Sequence, residues 1–136
     1  MRVMAVDFGD ARTGIAVSDE SASLVGEVKV VHERSMQKVA GIIAEEAAKR
    51  GVSCVVVGYP INMNGTVGLR GEKSEQLVQL IRDKCNVEVK LCDERLTSIS
   101  ANRILIDVGK RGKKRKQAVD AVAAALILEG YLQSLK

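Results

Sequence analysis

Seven residues, VSCVVVG from Val52 to Gly58, restrict the fold of this chain more than any other stretch. They follow a segment in which Met36, Val39, Ala40, Ile43 and Ala47 recur at helical spacing, with Ser35 placed to cap it and Gly51 to stop it. A β-branched run without alternation is what a strand covered on both faces looks like, and such strands belong to sheets with helices on each side.

The remaining segments fit around that strand. Val3 to Val6 and Ile15 to Val17 predict two neighbouring strands joined by a charged turn near Gly9 and Gly14, and Val28, Val30 and Val31 predict a third. Tyr59 to Gly71, which holds the only proline, predicts a long loop at the end of a central strand. A helix then carries Leu77, Val78, Ile81 and Cys85 on one face. In VEVKLCDE, Val87, Val89 and Leu91 alternate with Glu88, Lys90 and Cys92, the pattern of a half-exposed strand towards a sheet edge. Thr97 is placed to cap a helix through Leu105, the basic run from Lys110 interrupts it, and a final helix is expected from about Gln117 to Leu135. The order predicts an α/β fold: a mixed five-stranded sheet, a three-strand meander plus parallel strands, flanked by helices. At 136 residues this is one domain, spanning residues 1–136.

Composition excludes several functions. Aromatic residues make up 2% of the chain, so stacking of bases on aromatic platforms is not its main binding mode. The formal charge is +4, yet KRGKKRK, Lys110 to Lys116, carries six cations, leaving −2 over the rest. Such a local cluster is an electrostatic footprint for a polyanion, the alternative being a solvated loop. Cys54, Cys85 and Cys92 form neither a CxxC pair nor an even disulfide set, which suits reduced, buried thiols in a cytoplasmic protein. The first acidic residue comes at position 7, so MRVMAVDFGD contains no apolar signal-peptide core, and no run reaches membrane-spanning length.

Three acidic positions stand out. Asp7 ends the first strand and Asp93-Glu94 the last, where a mixed sheet can bring strand ends side by side; an Asp ending a strand is also an ordinary turn former. Asp120 is the sharper signal, because AVDAVAAALIL is otherwise apolar and a carboxylate on such a face needs a cation or a proton. The plainer alternative is that Asp120 complements its helix dipole. Oxygen ligands from separate elements, with one histidine in the chain and no Cys/His spacing, suit Mg²⁺ or Mn²⁺ and do not suit zinc. A pair of such ions about 4 Å apart activates water and stabilises the leaving oxygen of a phosphodiester without a protein nucleophile. His32, alone near a strand end, is expected to be structural.

Four blocks, DFGDARTGIAVSD, VVVGYPINMNGT, DERLTS and RKQAVDAVAAALILEGYL, occur in this order and span nearly the whole chain. Together they resemble the YqgF (RuvX) family. The resemblance implies an RNase H-like fold and a metal-dependent nuclease, commonly assigned to maturing pre-16S ribosomal RNA in the bacterial cytoplasm; older descriptions call it a Holliday junction resolvase. Carried over by position, the family's acidic residues fall on Asp7, Glu94 and Asp120, as catalytic residues and as ligands of Mg²⁺ or Mn²⁺, with Asp93 ranked behind them. Asn64 stands where the family more often has Asp, and Ser98 where Thr is usual. RuvC resolvases, distant relatives, usually have a second Asp one helical turn after the last catalytic one; here that position is Ala123.

For substrate contacts, Lys110, Arg111, Lys113, Lys114, Arg115 and Lys116 precede the Asp120 helix and are expected to hold phosphates; Arg12 and Arg95 are weaker candidates, each equally readable as a structural ion-pair partner. Asn62, Asn64 and Thr66 are candidates for lining the groove. The expected partner is nucleic acid, structured RNA ahead of branched DNA, with no membrane and with a monomer or homodimer as the assembly. Two other readings compete: a non-catalytic ribosome-assembly factor that keeps the basic grip, and an actin-like nucleotide binder using DFGDARTG as a phosphate loop. The second lacks chain length for a domain that closes over a nucleotide.

Overall fold

The computed structural model describes residues 1–60, 65, 67–93 and 112–135, with 112–121 described by backbone course alone. Five strands, β1 (Arg2–Asp7), β2 (Arg12–Ser18), β3 (Val25–His32), β4 (Val52–Tyr59) and β5 (Glu88–Asp93), form one sheet in the order β3-β2-β1-β4-β5. The β1-β2 and β2-β3 pairs are antiparallel, whereas β1-β4 and β4-β5 are parallel. This is the expected mixed sheet of a meander joined to parallel strands.

Among the described residues, three helices cover it. Helix α1 (Met36–Lys49) and α2 (Leu69–Lys84) lie on one face, and α3 (Gly112–Ser134) on the other. Strand β4 explains its own sequence: Val55 and Val57 pack under α1 and α2, while Val56 packs under α3. All three are fully buried, whereas Ser53, near the start of the strand, is exposed. On β1, Met4 and Val6 take the α1/α2 face while Val3 and Ala5 take the α3 face.

Local signals act where expected. The Ser35 Oγ accepts a hydrogen bond from the Lys38 N–H at the start of α1, and Gly51 turns the chain at φ +66° after it. Strand β5 is an edge strand with Val89 buried and Leu91 partly exposed. Four details differ from expectation. Helix α2 starts at Leu69, inside the segment expected to be loop as far as Gly71. Strand β3 starts at Val25, earlier than its valines suggest, because the antiparallel ladder with β2 runs back to Ser18. Helix α3 starts at Gly112, so the basic residues from Lys113 to Lys116 fall inside it instead of interrupting the chain before it; Lys and Arg are good helix formers, and no glycine or proline follows Gly112 before Gly130. Cys54 is buried and its thiol pKa raised by that burial, but Cys85 and Cys92 are only half-buried; all three are free thiols. The helix expected from Thr97 to Leu105 lies outside the described residues.

Candidate functional site

Asp7 is the last residue of the central strand and continues the Val3, Ala5 alternation, which places it on the α3 face. Directly opposite it on β2 is Gly14. On the other side, the rung after Val6↔Val57 brings Gly58 alongside, and Gly58 in turn pairs with Cys92. The half-buried carboxylate is therefore flanked by two residues without side chains.

The turn that follows is tight. A Cβ on Gly9 would overlap the carbonyl oxygen of Arg12, so the course from Asp7 to Arg12 depends on glycine at that position. Helix α2 braces the same turn: the Arg70 guanidinium donates to the Phe8 carbonyl at 3.4 Å, and the Lys73 ammonium donates to Asp10 at 2.9 Å. The hydrogen bond from Lys73, aided by its charge, lowers the Asp10 pKa.

Helix α3 runs against the direction of β1. Near its C-terminus the Tyr131 hydroxyl lies 3.8 Å from the Cys54 Sγ and accepts from the Lys90 ammonium at 3.4 Å. Cys54 pairs with Val3, at the start of β1. Asp120 lies on α3 one turn before Ala124, which packs on this face of the sheet.

Asp93 differs. It shares strand parity with Val89, which packs under α1 and α2, so it lies on the face opposite to Asp7. Cys92 packs against the α3-side cluster. Glu94, Arg95, Lys110, Arg111, Asn62, Asn64 and Thr66 lie outside the described residues, as do the side chains of Asp120, Lys113, Lys114, Arg115 and Lys116. Among the described residues no group of three His, Cys, Asp or Glu is placed to hold a metal ion. Asp7 is the one member of the expected carboxylate set whose side chain is described.

Arg12 opens β2 and pairs directly with His32 at the end of β3. With Ala11, Glu33 and Arg34 they line an open groove of about 630 Å³ beside Asp7. Arg34, Arg70, Lys73 and His32 do not stand out in the sequence as site residues. The usable signal for His32 and Arg34 was the hairpin itself, since the end of β3 must return to the start of β2; Arg70 and Lys73 arrive only through the packing of α2.

The profile of the RuvX family, described as Holliday junction resolvase, matches residues 1–134. A protein of Acetivibrio thermocellus, provisionally named pre-16S rRNA nuclease, is 42% identical over 136 residues, covering 98% of this chain and 96% of its own length. One of Bacillus cytotoxicus with the same name is 38% identical, covering 98% and 99%. Among solved structures, Thermus thermophilus RuvC in complex with a Holliday junction substrate superposes with a TM-score of 0.66 at 14% identity, over 100% of this chain and 97% of that one. The fowlpox virus resolvase bound to Holliday junction DNA gives 0.62 at 12%, over 99% of both. At these identities the likeness fixes the fold, which is RNase H-like. Among the described residues no helix is long and apolar enough to cross a membrane.

Proposed function

The chain belongs to the RuvX family, and from that premise we propose that it is a single-domain, divalent-metal-dependent nuclease acting in the cytoplasm on structured RNA, with precursor 16S ribosomal RNA as its substrate. The observation that carries the reading is Asp7 at the end of the central strand, opposite Gly14 and on the face that α3 covers. Strand ends in an α/β sheet are where ligands gather.

The donor set fits Mg²⁺ or Mn²⁺: Asp7, Glu94 and Asp120 offer only hard oxygens, and the two residues beside Asp7 have no side chains. When bound, the metal supplies an activated water and stabilises the leaving oxygen. The protein's own part is to hold the carboxylate and the phosphate in place. A strand at the sheet centre fixes Asp7 more tightly than a loop would. Arg12, two residues from Gly14 on the same face, is the diagonal neighbour of Asp7, about 7–8 Å away by sheet geometry. From there its guanidinium donates to phosphate oxygens and leaves the bases unread. Lys113 to Lys116 occupy the first turns of α3, at the end of the helix that approaches Asp7, and contribute positive charge along the same approach.

Holliday junction cleavage is the second reading, favoured by the shared fold with RuvC and the fowlpox enzyme. Ala123 stands one turn after Asp120 where RuvC resolvases usually add an Asp, which weighs against it. The test offers labelled precursor 16S RNA and a four-way DNA junction in the same reaction. Preferential cutting of the RNA supports the proposal, and exclusive cutting of the junction overturns its substrate.

A further inference from the structure

We propose that Arg12, His32 and Arg34 form a phosphate track that carries the bound RNA strand away from Asp7, across β2, to the β3 edge of the sheet. The proposal rests on the nuclease reading and adds the direction in which the substrate leaves the site.

The register makes the case. Gly14, Arg12 and their partners Val30 and His32 alternate on β2 and β3 with Ile15 and Lys29. Lys29 reaches Glu46 of α1, so its face is the α1 face, and Ala16, of opposite parity, packs in the α3-side cluster. Arg12 and His32 therefore stand on the α3 face, the face of Asp7, as a direct cross-strand pair. Asp7, Arg12 and His32 lie on three successive strands at one end of the sheet, β1, β2 and β3. Arg34 extends the line beyond β3, and both His32 and Arg34 are exposed.

The charge of the groove suits a polyanion. The one carboxylate among its described lining residues, Glu33, accepts the backbone N–H groups of Arg34 and Ser35 at 3.1 Å, so its Oε1 is already engaged at the start of α1. Asp10, on the neighbouring turn, is paired with Lys73. Arg12 and Arg34 bring two guanidinium groups and His32 an imidazole N–H donor. Among the described residues, Ala11 completes the wall and no aromatic ring besides the imidazole lines the groove, so these residues offer bases no stacking platform. Phosphate contacts without base contacts position a strand irrespective of its sequence.

The test is binding in EDTA, where no cleavage interferes, of a fluorescein-labelled RNA hairpin and of a second hairpin of shuffled sequence. Anisotropy titrations over a series of KCl concentrations compare the full chain with Arg34→Gln, Arg34→Lys and Arg34→Gln combined with His32→Ala. Expected is a several-fold weaker binding by Arg34→Gln, equal for both hairpins, with the slope of log affinity against log salt reduced by about 0.7–0.9. Arg34→Lys restores the slope, and the double variant binds more weakly still. Because both side chains are exposed, thermal unfolding of these variants should match the parent, which separates lost contact from lost fold. Unchanged affinity and slope in the double variant overturns the track. A wild-type chain that cuts nothing with metal, while these variants still lose binding, overturns the nuclease reading and leaves the track standing.

Discussion

Replacing Glu46 by Gln removes the charge from a carboxylate held by two cationic donors. Glu46 accepts from the Lys29 ammonium at 2.6 Å and the Arg50 Nε at 2.7 Å, and Arg50 also clasps Glu27 through both of its terminal nitrogens. These bonds tie the last turns of α1 to β3. The side chain of Glu46 is only 15% exposed, and the hydrogen bonds from Arg50 first, then Lys29, hold its pKa at about 2 against an ordinary 4.5. A folded pKa below the unfolded one means that the stabilisation is fully present above pH 4.5 and fades as pH falls towards 2. At full strength the depression corresponds to about 3 kcal/mol. Lys29 and Arg50 remain partly solvated, which brings the expected contribution to about 1–2 kcal/mol. For a domain of this size that is a fall of roughly 3–8 °C in Tm for Glu46→Gln at pH 7. Circular-dichroism melts of both proteins from pH 7 down to pH 2 provide the assay. The gap between them should stay constant to about pH 5 and close by about pH 2. A gap independent of pH would refute the electrostatic origin, and no gap at pH 7 would refute the magnitude.

Two further substitutions probe the ground around the site. Thr13 is fully buried and its Oγ1 has no hydrogen-bond partner among the described residues, so Thr13→Val should raise stability by about 1 kcal/mol, read as a higher midpoint in urea. Destabilisation would show that the hydroxyl has a partner. Gly9→Ala forces a Cβ against the Arg12 carbonyl and should cost about 1–3 kcal/mol. Its cleavage rate, measured well below its own melting point, should fall further than stability alone explains, because the turn sets Asp7 and Arg12 together. A folded variant with full cleavage would contradict that coupling.

What the sequence discloses here follows from how local each signal is. The β4 run, the Ser35 cap and the alternation of β5 are each written within a few residues, and the structure uses them as such. The start of α3 was legible only in part, because Gly112 and four cations look like a loop although Lys and Arg accept helix readily. Asp93 and Glu94 are neighbours in sequence, and only the face of Val89 assigns Asp93 to the side away from Asp7. His32 reads as a solitary histidine until the β2-β3 register pairs it with Arg12. Arg70 and Lys73 reach the β1-β2 turn from more than sixty residues away, a proximity that no spacing rule encodes.

The central claim is that Asp7, with Glu94 and Asp120, holds a catalytic metal ion. The most direct measurement is cleavage of labelled precursor 16S RNA with Mg²⁺, with Mn²⁺ and with chelator, by the wild-type chain and by Asp7→Asn, beside calorimetric titration of Mn²⁺ into both. The expected result is cutting that needs metal, is lost in Asp7→Asn by at least about 10²-fold, and is accompanied by weakened Mn²⁺ binding in a variant that melts normally. Undiminished cutting by a folded Asp7→Asn, or equal Mn²⁺ binding by both proteins, would contradict it.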